Sequence, residues 1–218
     1  MKRHFEREMD HLKARLLHMG AAVEDLVARS MQALMERDAA LAQSAITLES
    51  EIDKQEIQIE EECLKLLALY QPVAGDLRFV TSVLKINNDL ERMGDLGGHI
   101  AERALVLAQH REVDLPVDLR RMAAAVQRMV RQSLDALVNQ DAELALQVIR
   151  ADNEIDAYHQ EMFPLIAQQM RRQPEGIEIL FHVLSASRHL ERIADYATNV
   201  AEDVIYLVRG DIVRHQRS

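Results

Sequence analysis

The chain has 218 residues with 36 Asp+Glu against 26 Lys+Arg, a formal net charge of −10, no Trp, one Cys, 7 Gly and 4 Pro. Leu, Ala, Met, Glu and Arg dominate while aromatic and strand-forming residues are scarce, which excludes a sheet-rich fold and points to helices throughout. The acidic balance argues against nucleic acid or anionic lipid as a general partner, a lone Cys63 excludes an internal disulfide, and no run approaches the roughly 20 apolar residues of a membrane span.

Residues 1–15 are charged throughout and carry no leader pattern, so the expectation is a soluble, cytoplasmic protein without membrane insertion. Apolar periodicity predicts helices over 3–35, 38–70, 75–109, 116–138, 141–172 and 175–209. The breaks between them are Pro72 with Gly75, a polar turn at Val113–Pro116, and Pro174 with Gly176. Asp38 and Asp141 stand where N-caps belong. Cys63, within a helical run, is expected to be a buried thiol. Pro164 falls inside the fifth helix and is expected to kink it. Mildly basic stretches occur only at 120–131 and at 213–218.

The two halves of the chain are copies. "DAALAQSAITLESEID" (38–53) aligns with "DAELALQVIRADNEID" (141–156) at an offset of 103. "LER" recurs at 90–92 and 190–192, where the offset has become 100, so three residues are lost between the second and third helices of the repeat. The fold expected is all-α: two tandem, sequence-similar three-helix bundles, 1–110 and 111–218.

Seven acid pairs occur at spacing four, against about six expected by chance, so their number carries no signal. Position does. Glu49/Asp53, Glu91/Asp95, Asp152/Asp156 and Glu191/Asp195 occupy equivalent places in the two repeats, one pair on each second helix and one on each third. At about 100° per residue, Asp95 lies near 40° and Glu102 near 20° from Glu91, beside the apolar arc and not opposite it. Gly94, Gly97, Gly98 and Ala101 border these acids and allow a neighbouring helix to come close. Carboxylates drawn into one groove repel unless a cation relieves them: Arg92 and Arg192 are one answer, a metal ion another. Oxygen donors of this kind suit iron, manganese, magnesium, calcium or zinc. His99, four residues past Asp95, is either an additional ligand or a polar rim residue.

At these residues the chain resembles the PhoU family of phosphate-signalling regulators. "LYQPVAGDLRFVTSVLKINNDLERMGDLGGHIAERA" (69–104) and "HLERIADYATNVAEDVIYLVRG" (189–210) are similar to that family's two signatures. The resemblance implies two like three-helix bundles, homodimers, and Glu/Asp-x-x-x-Asp motifs that bind iron or zinc clusters in some members. It carries the ligand role to Glu49, Asp53, Glu91, Asp95, Asp152, Asp156, Glu191 and Asp195. It further implies a negative regulator of the phosphate-starvation response, an adaptor between the phosphate ABC transporter ATPase and its sensor histidine kinase. The chain departs from the family pattern at His99 (commonly Asn), Ala194 (usually Gly) and Tyr196 (frequently His).

No nucleophile elbow, Gly-rich phosphate loop or Cys/His zinc pattern is present, which favours a regulator over an enzyme. A carboxylate-bridged di-iron enzyme is the alternative of a different class, but it needs two Glu-x-x-His motifs and only "EMDH" (8–11) occurs. A metal-free helical scaffold is the third reading. Methionines at helical spacing are expected to fill the core.

Overall fold

The computed structural model describes residues 2–110 and 118–210. They form six α-helices: α1 Lys2–Glu36, α2 Ala39–Tyr70, α3 Ala74–Ala108, α4 Leu119–Asn139, α5 Ala142–Arg172 and α6 Ile177–Arg209, with a 3₁₀ turn at Pro174–Gly176 before α6. Among the described residues there is no strand. The boundary placed after 110, the turn at Val113–Pro116, the start of the fourth helix at 116 and the basic 213–218 stretch fall on or against residues outside those described.

The repeat is visible in the turns. Arg37 and Gln140, 103 residues apart, both take left-handed backbone at φ 55° and 50°. The next residue closes each turn: the Asp38 amide donates to the Ala33 carbonyl at 3.1 Å, and Asp141 to Ala136 at 2.9 Å. Each aspartate then caps the following helix. The Asp38 carboxylate accepts from the Ala40 and Leu41 amides at 2.9 and 3.0 Å, and Asp141 accepts from Glu143 and Leu144 at the same two distances. The second connection is where the copies differ. Three residues, 71–73, separate α2 from α3, whereas residue 173 alone separates α5 from the 3₁₀ turn. With α5 also ending one residue early in register (172 − 70 = 102), this accounts for the three-residue change of offset. Pro164 sits inside α5, which runs on as one helix; the helical partner of the Gln160 carbonyl is missing there because proline has no N–H.

Helices α1, α2 and α3 pack as one bundle and α4, α5 and α6 as the other, joined along α3–α6 and α1–α4. One continuous core runs through both, including Met19, Ile52, Met93, Val126, Ile155 and Val200. Fully burying an aliphatic side chain of this kind contributes about 1.5–3 kcal/mol, so the amphipathic faces hold the fold. Cys63 is buried and reduced, and its thiol is pushed up to about 12 by burial and by Glu62 and Glu60.

Helices α3 and α6 are antiparallel in constant register. Lys85 Nζ lies 3.3 Å from Asp203 Oδ1, the His99 and His189 rings are 5.5 Å apart, and His110 Nε2 is 3.9 Å from Glu178 Oε1. In all three pairs the residue numbers sum to 288. Combined with the offset of 100, this places a pseudo-twofold axis at the level of Gly94 and Ala194 (94 + 194 = 288), both buried. The two acid-bearing grooves, α2–α3 and α5–α6, therefore lie on either side of one internal dyad.

Candidate metal centre

In the first bundle, α2 and α3 bring their acids together. Carboxylate oxygens of Asp53, Glu91 and Asp95 all lie within 4.8 Å of one another, Asp53 exposed and the other two half-buried. Arg92 supplies the counter-charge: its Nε is 3.3 Å from Glu91 Oε2 and its Nη1 donates to Asp95 Oδ2 at 3.0 Å. One guanidinium against three carboxylates leaves the group net negative. Burial, then Asp95, holds Asp53 above its ordinary range. Glu91 is raised by burial and by Asp95, with Arg92 opposing.

Glu49 completes the stripe. Its pKa is raised to about 7 by burial, then by Asp53, Asp95 and Glu102. The position is possible because residue 98 is glycine: a Cβ there would collide with the Glu49 carboxyl group. A helix-interior glycine costs roughly 1 kcal/mol relative to alanine, and here the space it frees is filled by a charged ligand type. One turn further along α2, Glu56 is raised by burial, Glu60 and Asp53. It is held by Asn87, buried on α3, whose amide donates to the Glu56 carbonyl at 3.0 Å. Asn87 was not singled out by the sequence pattern, although it precedes Glu91 by four residues and so shares its face.

The second bundle is built differently. Asp152 is 7 % exposed, and Asp156, Glu191 and Asp195 are half-buried at the equivalent places on α5 and α6. Among the described residues, no three of these bring carboxylate oxygens within 4.8 Å. Three exchanges separate the grooves. Asp152 is one methylene shorter than Glu49, and Thr198 fills the space that Gly98 leaves open, its hydroxyl donating to the Ala194 carbonyl at 3.1 Å. His159 stands where the first bundle has Glu56, with Nδ1 3.2 Å from the Ser187 hydroxyl oxygen. The Ser187 hydroxyl proton goes to the Leu184 carbonyl at 2.8 Å, so that oxygen is free to accept from an Nδ1–H of His159. His159, three residues after Asp156, aligns with Glu56 at the offset of 103, the one signal that would have found it.

His99 does not join the acids. Its exposed ring is directed across α3–α6 at His189. Arg192, the counterpart of Arg92, has no ion pair among the described residues; its charge bears on His189 instead.

The donor set of the first groove fits a hard cation. All of its groups are carboxylate oxygens, mutually close and under-compensated, and the Gly98 gap receives a fourth carboxylate. Chemically, such a site would bind a divalent or trivalent ion and present its remaining positive charge at the α2–α3 surface. Pairwise acid repulsion is what would drive uptake.

The sequence model of the PhoU domain matches residues 16–104 and again 119–204. A phosphate-specific transport system accessory protein PhoU homolog from Pseudomonas aeruginosa is 39 % identical over 212 residues, 97 % of this chain and 88 % of that protein. One from Aquifex aeolicus is 37 % identical over 210 residues, covering 96 % and 95 %. The crystal structure of PhoU from Pseudomonas aeruginosa superposes with a TM-score of 0.92 at 38 % identity, over 95 % of this chain and 100 % of that one. The phosphate transport system regulatory protein PhoU from Streptococcus pneumoniae superposes at 0.88 and 32 % identity, over 96 % and 99 %.

Proposed function

The chain belongs to the PhoU family, and from that membership we propose that it is an accessory, regulatory protein of a phosphate-specific transport system. The observation that carries this reading is the near full-length match, in sequence and in fold, to proteins named for that role. The finer proposal is that it restrains the phosphate-starvation response by docking on the transporter ATPase and on its sensor histidine kinase, as a homodimer. The long helical faces of α2 and α5 support it, since they flank the core and leave exposed surfaces that carry both charged residues and large apolar ones such as Ile57, Leu64 and Phe163. No described helix is long and apolar enough to cross a membrane, so contact with a transporter would run through such a surface. Deleting the gene should switch on a phosphate-starvation reporter in phosphate-rich medium, and supplying the intact chain should restore repression. A reporter indifferent to the chain would defeat the proposal.

We also propose that the α2–α3 groove binds a metal ion, with Asp53, Glu91, Asp95 and Glu49 as its holders. Iron or zinc is proposed from the family resemblance, and the all-carboxylate donor set also admits manganese and magnesium. The bound ion would supply fixed positive charge; the chain's own residues set its place, Arg92 clamping Glu91 and Asp95 while Gly98 admits Glu49. Elemental analysis of protein purified without chelator is the test. The double variant Glu91→Gln, Asp95→Asn should lose the metal, and equal metal content in both proteins would refute the site. The second groove, with Asp152, Asp156, Glu191 and Asp195, is proposed to bind only when α5 and α6 draw these acids closer together.

A further inference from the structure

The α3–α6 contact carries a second cluster, of opposite sign to the acids, that the metal reading does not use. The His99 and His189 rings meet across it at 5.5 Å. His189 Nε2 is 3.3 Å from the Ser185 hydroxyl, and in the antiparallel register the residue facing Ser185 is Arg103 (103 + 185 = 288). Arg103 is half-buried, and its Nε is fully buried without a hydrogen-bond partner. Arg188 and Arg192 stand exposed on the same stretch of α6. Among the described residues, none of these three arginines has an ion pair with an acid. The charged or ionisable groups grouped about His189 are His99, Arg103, Arg192 and Arg188, and none of them is an acid. Glu102, Glu191 and Asp195 are close in sequence to these arginines, Glu102 and Glu191 without an ion pair to them among the described residues, and Glu178, at the far end beside His110, bears on His182.

The internal dyad supplies a control. The pair related to Ser185–Arg103 is Lys85–Asp203, and there a lysine meets a buried aspartate at 3.3 Å. The dyad thus carries one position from acid to arginine (Asp203 to Arg103) and the other from lysine to serine. One end of the contact is neutralised from within, while the other keeps its cation and has an uncharged hydroxyl facing it. In a chain of net charge −10, three arginines without an ion pair among the described residues give this end of the contact a local excess of positive charge.

We infer that this end of the α3–α6 contact is a binding site for a tetrahedral oxyanion, held by Arg103, Arg188 and Arg192, with the Ser185 hydroxyl as a donor and His99 at the rim. Guanidinium forks match phosphate oxygens two at a time, and Ser185 offers an uncharged donor at close range. The anion is either free or a phosphoryl group carried on a protein side chain; the recognition chemistry is the same. The site lies apart from the α2–α3 acids and stands whether or not they bind metal.

Metal-free protein, stripped with chelator and then dialysed, is titrated with inorganic phosphate at constant ionic strength while the ring C–H signals of His99 and His189 are followed by NMR. Saturable shifts are expected with phosphate and sulfate and not with chloride. Arg103→Gln and the exposed double variant Arg188→Gln, Arg192→Gln should each weaken binding about tenfold or more. Arg7→Gln, on α1, should leave it unchanged. Should Arg103→Gln lose its helical circular dichroism, the exposed double variant decides alone. A linear response, a response equal for chloride, or full affinity in the double variant means an adventitious ion only and overturns the inference. A parallel titration with a phosphoserine peptide and its unphosphorylated form separates the sources: tighter binding than free phosphate assigns the protein-borne group, equal or weaker binding the free ion.

Discussion

Gly98→Ala tests whether the glycine serves the helix or the acid beside it. The new methyl would overlap the Glu49 carboxyl group, which ends a flexible side chain and can swing outward. The helix gains about 1 kcal/mol from losing a glycine. Glu49 gains as well. Its pKa is raised to about 7 in the folded chain, so the stability it lends is fully present below about pH 4.5, its unfolded value, and is lost as pH rises through 7. Moving Glu49 from about 4.5 to about 7 corresponds to roughly 3.4 kcal/mol. Solvent screening of a half-exposed carboxylate reduces this to about 1–2 kcal/mol. In chelator, Gly98→Ala should therefore stabilise the chain by about 1 kcal/mol at pH 4 and by about 2–3 kcal/mol at pH 8. Urea melts followed by circular dichroism at the two pH values give both numbers. Metal affinity should fall at least about tenfold, as expected on losing a charged donor. A destabilised variant, or an equal gain at both pH values, would show that Glu49 is not held where these energetics require.

The neighbouring Gly97→Ala should behave in the opposite way, because its methyl would lie 3.1 Å from Leu26 Cγ in the packed core; a loss of about 1–3 kcal/mol in the same melts is expected. Gln140→Gly should stabilise by about 0.5–1 kcal/mol by relieving left-handed backbone at φ 50°, whereas Asp141→Ala should cost about 1 kcal/mol by uncapping α5. Cys63, with its thiol pushed up to about 12, should resist alkylation at pH 8 in the native protein and react promptly once unfolded in urea. Modification at equal rates in both states would contradict its burial.

Much of the fold could be read from the chain because its signals are local. The duplicated Asp38 and Asp141 announce the same turn, and the structure returns the same pair of capping distances for both. The acids of α2 and α3 could be placed beside the core from angle alone, and Asp53, Glu91 and Asp95 do meet. The inequality of the two grooves was harder to foresee. It depends on how a one-methylene change at Asp152 combines with Thr198 on a different helix, and pair alignment treats Glu and Asp as alike. Arg92 and Arg192 likewise looked equivalent, yet only Arg92 sits against its acids. The cationic cluster was hidden altogether, because His99 and Arg103 meet His189 and Ser185 only once α3 and α6 are known to run antiparallel in one register.

That register also decides whether either half could live alone. A solitary first half would cover its exposed α3 with the α3 of a second copy, and the dyad would then set residue 85 against residue 103 (85 + 103 = 188, one offset of 100 below 288). Lysine would confront arginine, twice over. Within the full chain those places hold Asp203 and Ser185, so each cation has been given a neighbour it tolerates. The fused pair has thus diverged into complementary parts, and cutting the gene in two should yield a first fragment that pairs with the second and refuses its own kind.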